Sequence, residues 1–139
     1  MLKDCVGTWA CYSKTRVSAK ILIVDDSGFA RRTLRRMLEE QGFVVEEARS
    51  GVEALEKYLD SKPDVVFLDV VMEGIQGLEV LGKLRELDAD AKVVMATSDV
   101  QRATREEALS TGASAYLTKP VDAKELLGVL RRVIPPTES

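Results

Sequence analysis

The chain has 139 residues, 45% of them apolar and 31% charged, the balance of one folded globular domain and not of a disordered chain. Its 20 basic and 23 acidic side chains leave a net charge of −3, so no basic excess advertises nucleic acid and no acidic arm is expected. The chain has no histidine, which excludes His-based proton transfer and a phosphohistidine of its own, and its two cysteines, Cys5 and Cys11, cannot alone close a tetrahedral zinc site.

Residues 1–19 carry both cysteines and Trp9 but sustain neither helical nor strand periodicity, and are read as an N-terminal extension to a domain spanning 20–135. From Lys20 onward, strand and helix patterns alternate. Ile21–Val24 is a continuous apolar run, as expected of a strand covered on both faces. Phe29, Leu34, Met37 and Leu38 predict the apolar face of a first helix, which Gly42 stops. Phe43–Val45 follows as a strand, and Ala54, Leu55, Tyr58 and Leu59 give the next helix its apolar face, with Pro63 beyond its end. Val65–Leu68 is the third strand, and Leu78, Leu81, Leu84 and Leu87 mark the third helix. Val93–Met95 is the fourth strand, and a polar helix covers Thr104–Leu109. Ala115–Leu117 is the fifth strand; Leu126, Leu127, Leu130, Val133 and Ile134 face inward from a last helix that Pro135 and Pro136 terminate. Every apolar run is far shorter than the roughly 20 residues of a membrane span, and no secretory h-region opens the chain, so a cytoplasmic protein is expected.

Five β–α repeats predict an α/β fold: a doubly wound, five-stranded parallel sheet with five helices on its two faces. Function in such folds gathers at the carboxyl ends of the strands, near the switch in strand order. Asp25-Asp26 follows the first strand, Asp69 the third, Thr97-Ser98 closes the fourth, and Lys119-Pro120 follows the fifth. Carboxylates crowded on one rim repel unless a cation neutralises them, and hard, partly hydrated oxygen ligands suit Mg²⁺, with Mn²⁺ as an alternative. A divalent ion, an ammonium, a hydroxyl and a carboxylate nucleophile together make a receptacle for a transferred phosphoryl group.

The ordered set Ile-Leu-Ile-Val-Asp25-Asp26-Ser, Val-Val-Phe-Leu-Asp69, Val-Val-Met-Ala-Thr97-Ser, Ala-Tyr116-Leu-Thr and Lys119-Pro120 resembles the receiver domain of bacterial two-component response regulators, over residues 20–134. The resemblance implies the flavodoxin-like (βα)5 receiver fold, with Asp69 as the phosphoacceptor. A histidine kinase, a phosphotransfer protein or acetyl phosphate would be the donor. It implies that Asp25, Asp26, Asp69 and the backbone carbonyl of Val71 hold the metal, Asp25 mainly through water. Thr97 and Lys119 would bind the phosphoryl oxygens, Pro120 would follow a cis peptide, and Tyr116 would turn inward after Thr97. The fourth helix, fifth strand and fifth helix would then present the face that meets a downstream protein. The resemblance also implies that the chain catalyses only its own phosphorylation and dephosphorylation, with a dedicated phosphatase as a further partner.

Three positions depart from the common pattern or vary within it. Proline often stands a few residues after the acceptor, but here Met72 is followed by Glu73. Val71 and Asp99 take the two variable positions flanking the site and are expected to tune the phosphate lifetime. The chain ends at Ser139, so a stand-alone, chemotaxis-type receiver with a protein-binding output is expected, without direct contact to nucleic acid or insertion in membrane. Alternatives are a pseudo-receiver that only binds, or a haloacid dehalogenase-type phosphohydrolase, whose Asp-x-Asp spacing Asp25-Asp26 lacks. A nucleotide or flavin module is disfavoured, since no glycine-rich phosphate loop follows any strand. On the first helix, Arg31, Arg32, Arg35 and Arg36 form a basic stripe, read as solvated charge or as a docking site for the phosphodonor.

Overall fold

The computed structural model describes residues 19–98 and 101–134. Strands and helices alternate throughout: β1 (Lys20–Val24), α1 (Gly28–Glu40), β2 (Val44–Ala48), α2 (Gly51–Ser61), β3 (Val65–Leu68), α3 (Gly77–Leu87), β4 (Val93–Thr97), α4 (Arg102–Thr111), β5 (Ala115–Thr118) and α5 (Ala123–Val133). The strands form one parallel sheet in the order β2-β1-β3-β4-β5. The chain first winds outward from β1 to β2, then crosses back to place β3 on the other flank of β1. The strand order therefore switches between β1 and β3, where a crevice opens at the carboxyl edge.

Strand side chains alternate across the sheet, and two apolar layers result. Ile21, Ile23, Val65, Phe67, Val94 and Leu117 pack with Leu34 and Leu38 of α1 and Leu126 and Leu130 of α5. Leu22, Val24, Val66, Leu68, Val93 and Met95 pack on the other side, against Ala54 of α2, Leu81 and Leu84 of α3 and Ala108 of α4. Buried on both faces, β1, β3 and β4 are the strands whose sequences read as unbroken apolar runs.

The helix starts are specified locally. Ser27, Ser50 and Asp122 accept hydrogen bonds from the amides of Ala30, Glu53 and Glu125, satisfying donors that the first turn leaves over. Gly42, at φ 93°, closes α1: its amide donates to the Glu39 carbonyl and that of Phe43 to Leu38. Three expectations shift. Strand β2 runs on through Glu46, Glu47 and Ala48, because an edge strand tolerates polar side chains on its open flank. Leu59 stays 58% exposed and Leu87 51% exposed, each one turn beyond the stripe that meets the sheet. Phe29, expected on the buried face of α1, is 73% exposed at the carboxyl edge.

Candidate functional site

Parallel register brings the acidic groups together. Val24 pairs with Leu68, so the residues that follow them, Asp25 and Asp69, leave the sheet side by side. The Asp69 amide donates to the Val24 carbonyl at 3.1 Å, and the Asp25 amide to Ala48 at 3.2 Å, which fixes both strand exits. On the far side of β3, Thr97 ends β4, and the Lys119 amide donates to its carbonyl at 2.8 Å. The peptide between Lys119 and Pro120 is cis.

Lys119 bridges the carboxylates. Its Nζ donates to Asp25 Oδ2 and, at 3.2 Å, to Asp69 Oδ2. Asp25 is only 4% exposed, so the ammonium is what makes its burial tolerable. Burial by itself lowers the pKa of Lys119, but its hydrogen bond to Asp25 and the charges of Asp69 and Asp25 outweigh this and raise it above the ordinary value. The remaining carboxylate oxygens take backbone donors. Asp25 Oδ1 accepts from the Ser27 amide at 2.9 Å, and Asp69 Oδ1 from that of Val71 at 3.2 Å. Asp26 is exposed, and its Oδ2 accepts from the Glu73 amide at 3.1 Å, tying the loop after β1 to the loop after β3.

Thr97 is buried, at 1% exposure, and the Val71 side chain lies open, at 61%. Tyr116 is half-buried on β5 against the layer of α2, α3 and α4, with the Arg105 guanidinium 6.0 Å from its ring centroid. A cavity of about 300 Å³ runs from Asp25, Asp69, Ser98 and Lys119 into apolar surroundings between α1 and Pro120-Val121, and Phe29 contributes to its wall. Asp99, Cys5, Cys11 and Trp9 lie outside the described residues.

Among the described residues no three acidic or cysteine side chains converge as a ready-made ion cage. Yet Asp25 and Asp69 share the one Lys119 ammonium, and Asp26 meets the Glu73 amide and not a cation among the described residues, which leaves two negative charges uncompensated on hard oxygen donors. That surplus fits one Mg²⁺ that keeps part of its water.

Sequence reading missed two supports. Gly77, at the start of α3, lies so close that a Cβ there would stand 1.9 Å from the Asp69 carbonyl oxygen. Its amide donates to Val70 at 2.8 Å, so α3 begins against the backbone on which Asp69 stands. Arg31 is the second. Its Nη1 donates to the Asp25 carbonyl at 2.5 Å, and its Nε to Glu47 Oε1 at 2.8 Å. Arg35 Nη1 meets Glu47 Oε2 at 2.6 Å, so half of the basic stripe is structural and props the Asp25 turn from β2.

The hydrogen bond from Arg35 holds the Glu47 carboxyl below its ordinary 4.5; burial opposes this and Arg31 adds to it. A depressed carboxyl contributes stability that is present above pH 4.5 and lost as the pH falls through its lower folded value. Glu47→Gln is expected to cost about 1 kcal/mol at neutral pH. In urea unfolding at stepped pH, the gap between parent and variant should close on acidification; a gap of constant size would refute the ion-pair account.

The sequence matches the family profile described as the response regulator receiver domain over residues 21–131. It is 37% identical over 118 residues to the chemotaxis protein CheY of Halobacterium salinarum, covering 85% of this chain and 98% of that protein. It is 40% identical over 118 residues to the response regulator MprA of Mycobacterium ulcerans, covering 85% of this chain but 51% of that protein, about half its length. Among solved structures, a chain of the CheX-CheY-BeF3-Mg²⁺ complex from Borrelia burgdorferi superposes with a TM-score of 0.82 at 30% identity, covering 86% of this chain and 92% of that one. With its strand order, the acidic groups at its switch point and a family match across nearly all of its sheet and helices, the chain belongs to the response regulator receivers, the phosphorelay modules of two-component signalling.

Proposed function

We propose that Asp69 is the phosphoacceptor of this receiver, and that Asp25, Asp26, Asp69 and the Val71 carbonyl hold a Mg²⁺ ion beside it. The single observation that carries this reading is the bridge of Lys119 to both Asp25 and Asp69 at the strand-order switch. Mg²⁺, when bound, offsets the negative charge that builds up on the transferring oxygens. The chain's own residues do the rest. Asp69 forms its carboxyl oxygen–phosphorus bond as the donor's bond to phosphorus breaks, and the donor imidazole or acetate leaves with that electron pair. Lys119 then exchanges a carboxylate oxygen for a phosphoryl oxygen, and the Thr97 hydroxyl donates to another.

The proposed donor is a histidine kinase or phosphotransfer protein, and the output is a protein partner on the face of α4, β5 and α5, with Tyr116 and Thr97 moving together. Val71 and Asp99 set the lifetime of the acyl phosphate. A chemotaxis-type output in the cytoplasm is favoured by 98% coverage of the Halobacterium CheY, and a protein partner, proposed to include a dedicated phosphatase, by the CheX complex of the Borrelia CheY. No helix among the described residues is long and apolar enough to cross a membrane.

Adding beryllofluoride with Mg²⁺ is expected to shift the amide resonances of Asp69, Thr97, Tyr116 and Lys119 together. A spectrum that stays still under both additions would favour a receiver that only binds.

A further inference from the structure

We infer that Glu73 is a positioning residue for the cation, acting through its backbone N–H and not through its carboxylate. The inference rests on the reading of Asp26 as a metal ligand. The Glu73 amide donates to Asp26 Oδ2 at 3.1 Å across 47 residues of sequence, the direct bond between the loops that follow β1 and β3. Asp26 is exposed, and among the described residues no other hydrogen bond or ion pair holds its carboxylate. Without that bond the side chain samples its rotamers freely. With it, one oxygen is anchored and the other is left free for an ion.

The loop is built to keep the donor in place. Gln76 Nε2 donates to the Met72 carbonyl at 2.7 Å, and its Oε1 accepts from the Met72 amide at 3.4 Å, closing residues 72–76 into a ring around Glu73. The Gly77 amide fastens the next turn to Val70. The peptide between Met72 and Glu73 is thus held from both sides, and the N–H it presents is one that a proline at position 73 would have no means to supply.

A donor that orients a ligand's carboxylate commonly changes metal affinity by about tenfold or more. The test is Mg²⁺ affinity by calorimetry for the parent, Glu73→Ala and Glu73→Pro. Glu73→Ala keeps the N–H and loses only an exposed charge, so its affinity is expected within about threefold of the parent, since exposed charges are screened. Glu73→Pro is expected to bind about tenfold more weakly than the parent. Equal affinities for Glu73→Pro and Glu73→Ala would overturn the inference. A parent that binds no Mg²⁺ would overturn the metal reading itself, a distinguishable failure.

A second measurement holds even if the proline variant does not fold. In the metal-free parent the Glu73 amide proton should resonate at low field, and Asp26→Ala should move it upfield. An unmoved resonance would remove the bond and the inference with it.

Discussion

On incubation with acetyl phosphate and Mg²⁺ the chain is expected to gain the mass of one phosphoryl group, and the Asp69→Asn variant to gain none. The effect is all or nothing because the chemistry is. An amide carries no anionic oxygen to attack phosphorus, and among the described residues at this rim no other carboxylate combines a paired ammonium with an open approach. Asp25 is buried, with one oxygen on Lys119 and the other on the Ser27 amide, so it offers no free face to a donor. Asp26 is open, but the Lys119 ammonium pairs with Asp25 and Asp69 instead. Asp69, between the ammonium and the mouth of the cavity, is the carboxylate with both a cation and access. The substitution is also nearly isosteric, so the fold should survive and the loss can be assigned to chemistry. Intact mass settles it; a full increment on Asp69→Asn would mean that another carboxylate accepts the group.

The second large effect is expected from Gly77→Ala, a single methyl group that touches no charged side chain. Its Cβ would meet the Asp69 carbonyl oxygen at 1.9 Å and the Val70 Cα at 2.8 Å, all backbone atoms with no rotamer to escape into. Either α3 moves out or the chain after β3 moves aside, by about an ångström. Overpacking of this kind costs about 3 kcal/mol. Because the displaced backbone is that of the proposed acceptor, Asp69, phosphorylation should slow by about a hundredfold, the penalty for a reacting group out of place by that distance. Gly128→Ala is the matched control, since a Cβ there meets nothing within 4 Å in the interior of α5. It should stabilise by about 0.5–1 kcal/mol through helix propensity alone. Denaturant midpoints and initial phosphorylation rates check both. A Gly77→Ala protein with parental rate would show that the loop after Asp69 yields freely.

The strand exits were legible because a sheet buried on both faces writes its strands as apolar runs, so the polar residues that end them stand out in one dimension. Asp25, Asp69 and Thr97 are each the first polar group at such a boundary, and Lys119 directly follows Thr118, the last residue of β5. Helix faces were less legible. Phe29 belongs by spacing with Leu34 and Leu38, yet it lies in the first turn of α1, above the sheet's edge, where there is no strand left to cover it. The supports of the site were not legible at all. Arg31 and Glu47 are 16 residues apart, and Glu47 belongs to a strand whose extent depended on its neighbour. Gly77 is one of nine glycines, and its close approach to Asp69 is a property of two elements meeting, with no local signature in composition. Covalent neighbours announce themselves in sequence; neighbours made by packing do not.

The guanidinium of Arg105 above the Tyr116 ring has a bearing on how quiet the protein is at rest. Under the proposed inward turn of the tyrosine, the ring must leave that cation, and contacts of this kind at open sites contribute about 0.5–1 kcal/mol. An idle molecule would then stray into its signalling shape some two- to fivefold less often than one without the arginine, by the usual tenfold per 1.4 kcal/mol. On that proposal, part of the restraint on background noise is carried by helix α4, a separate element from the loop where the message would arrive.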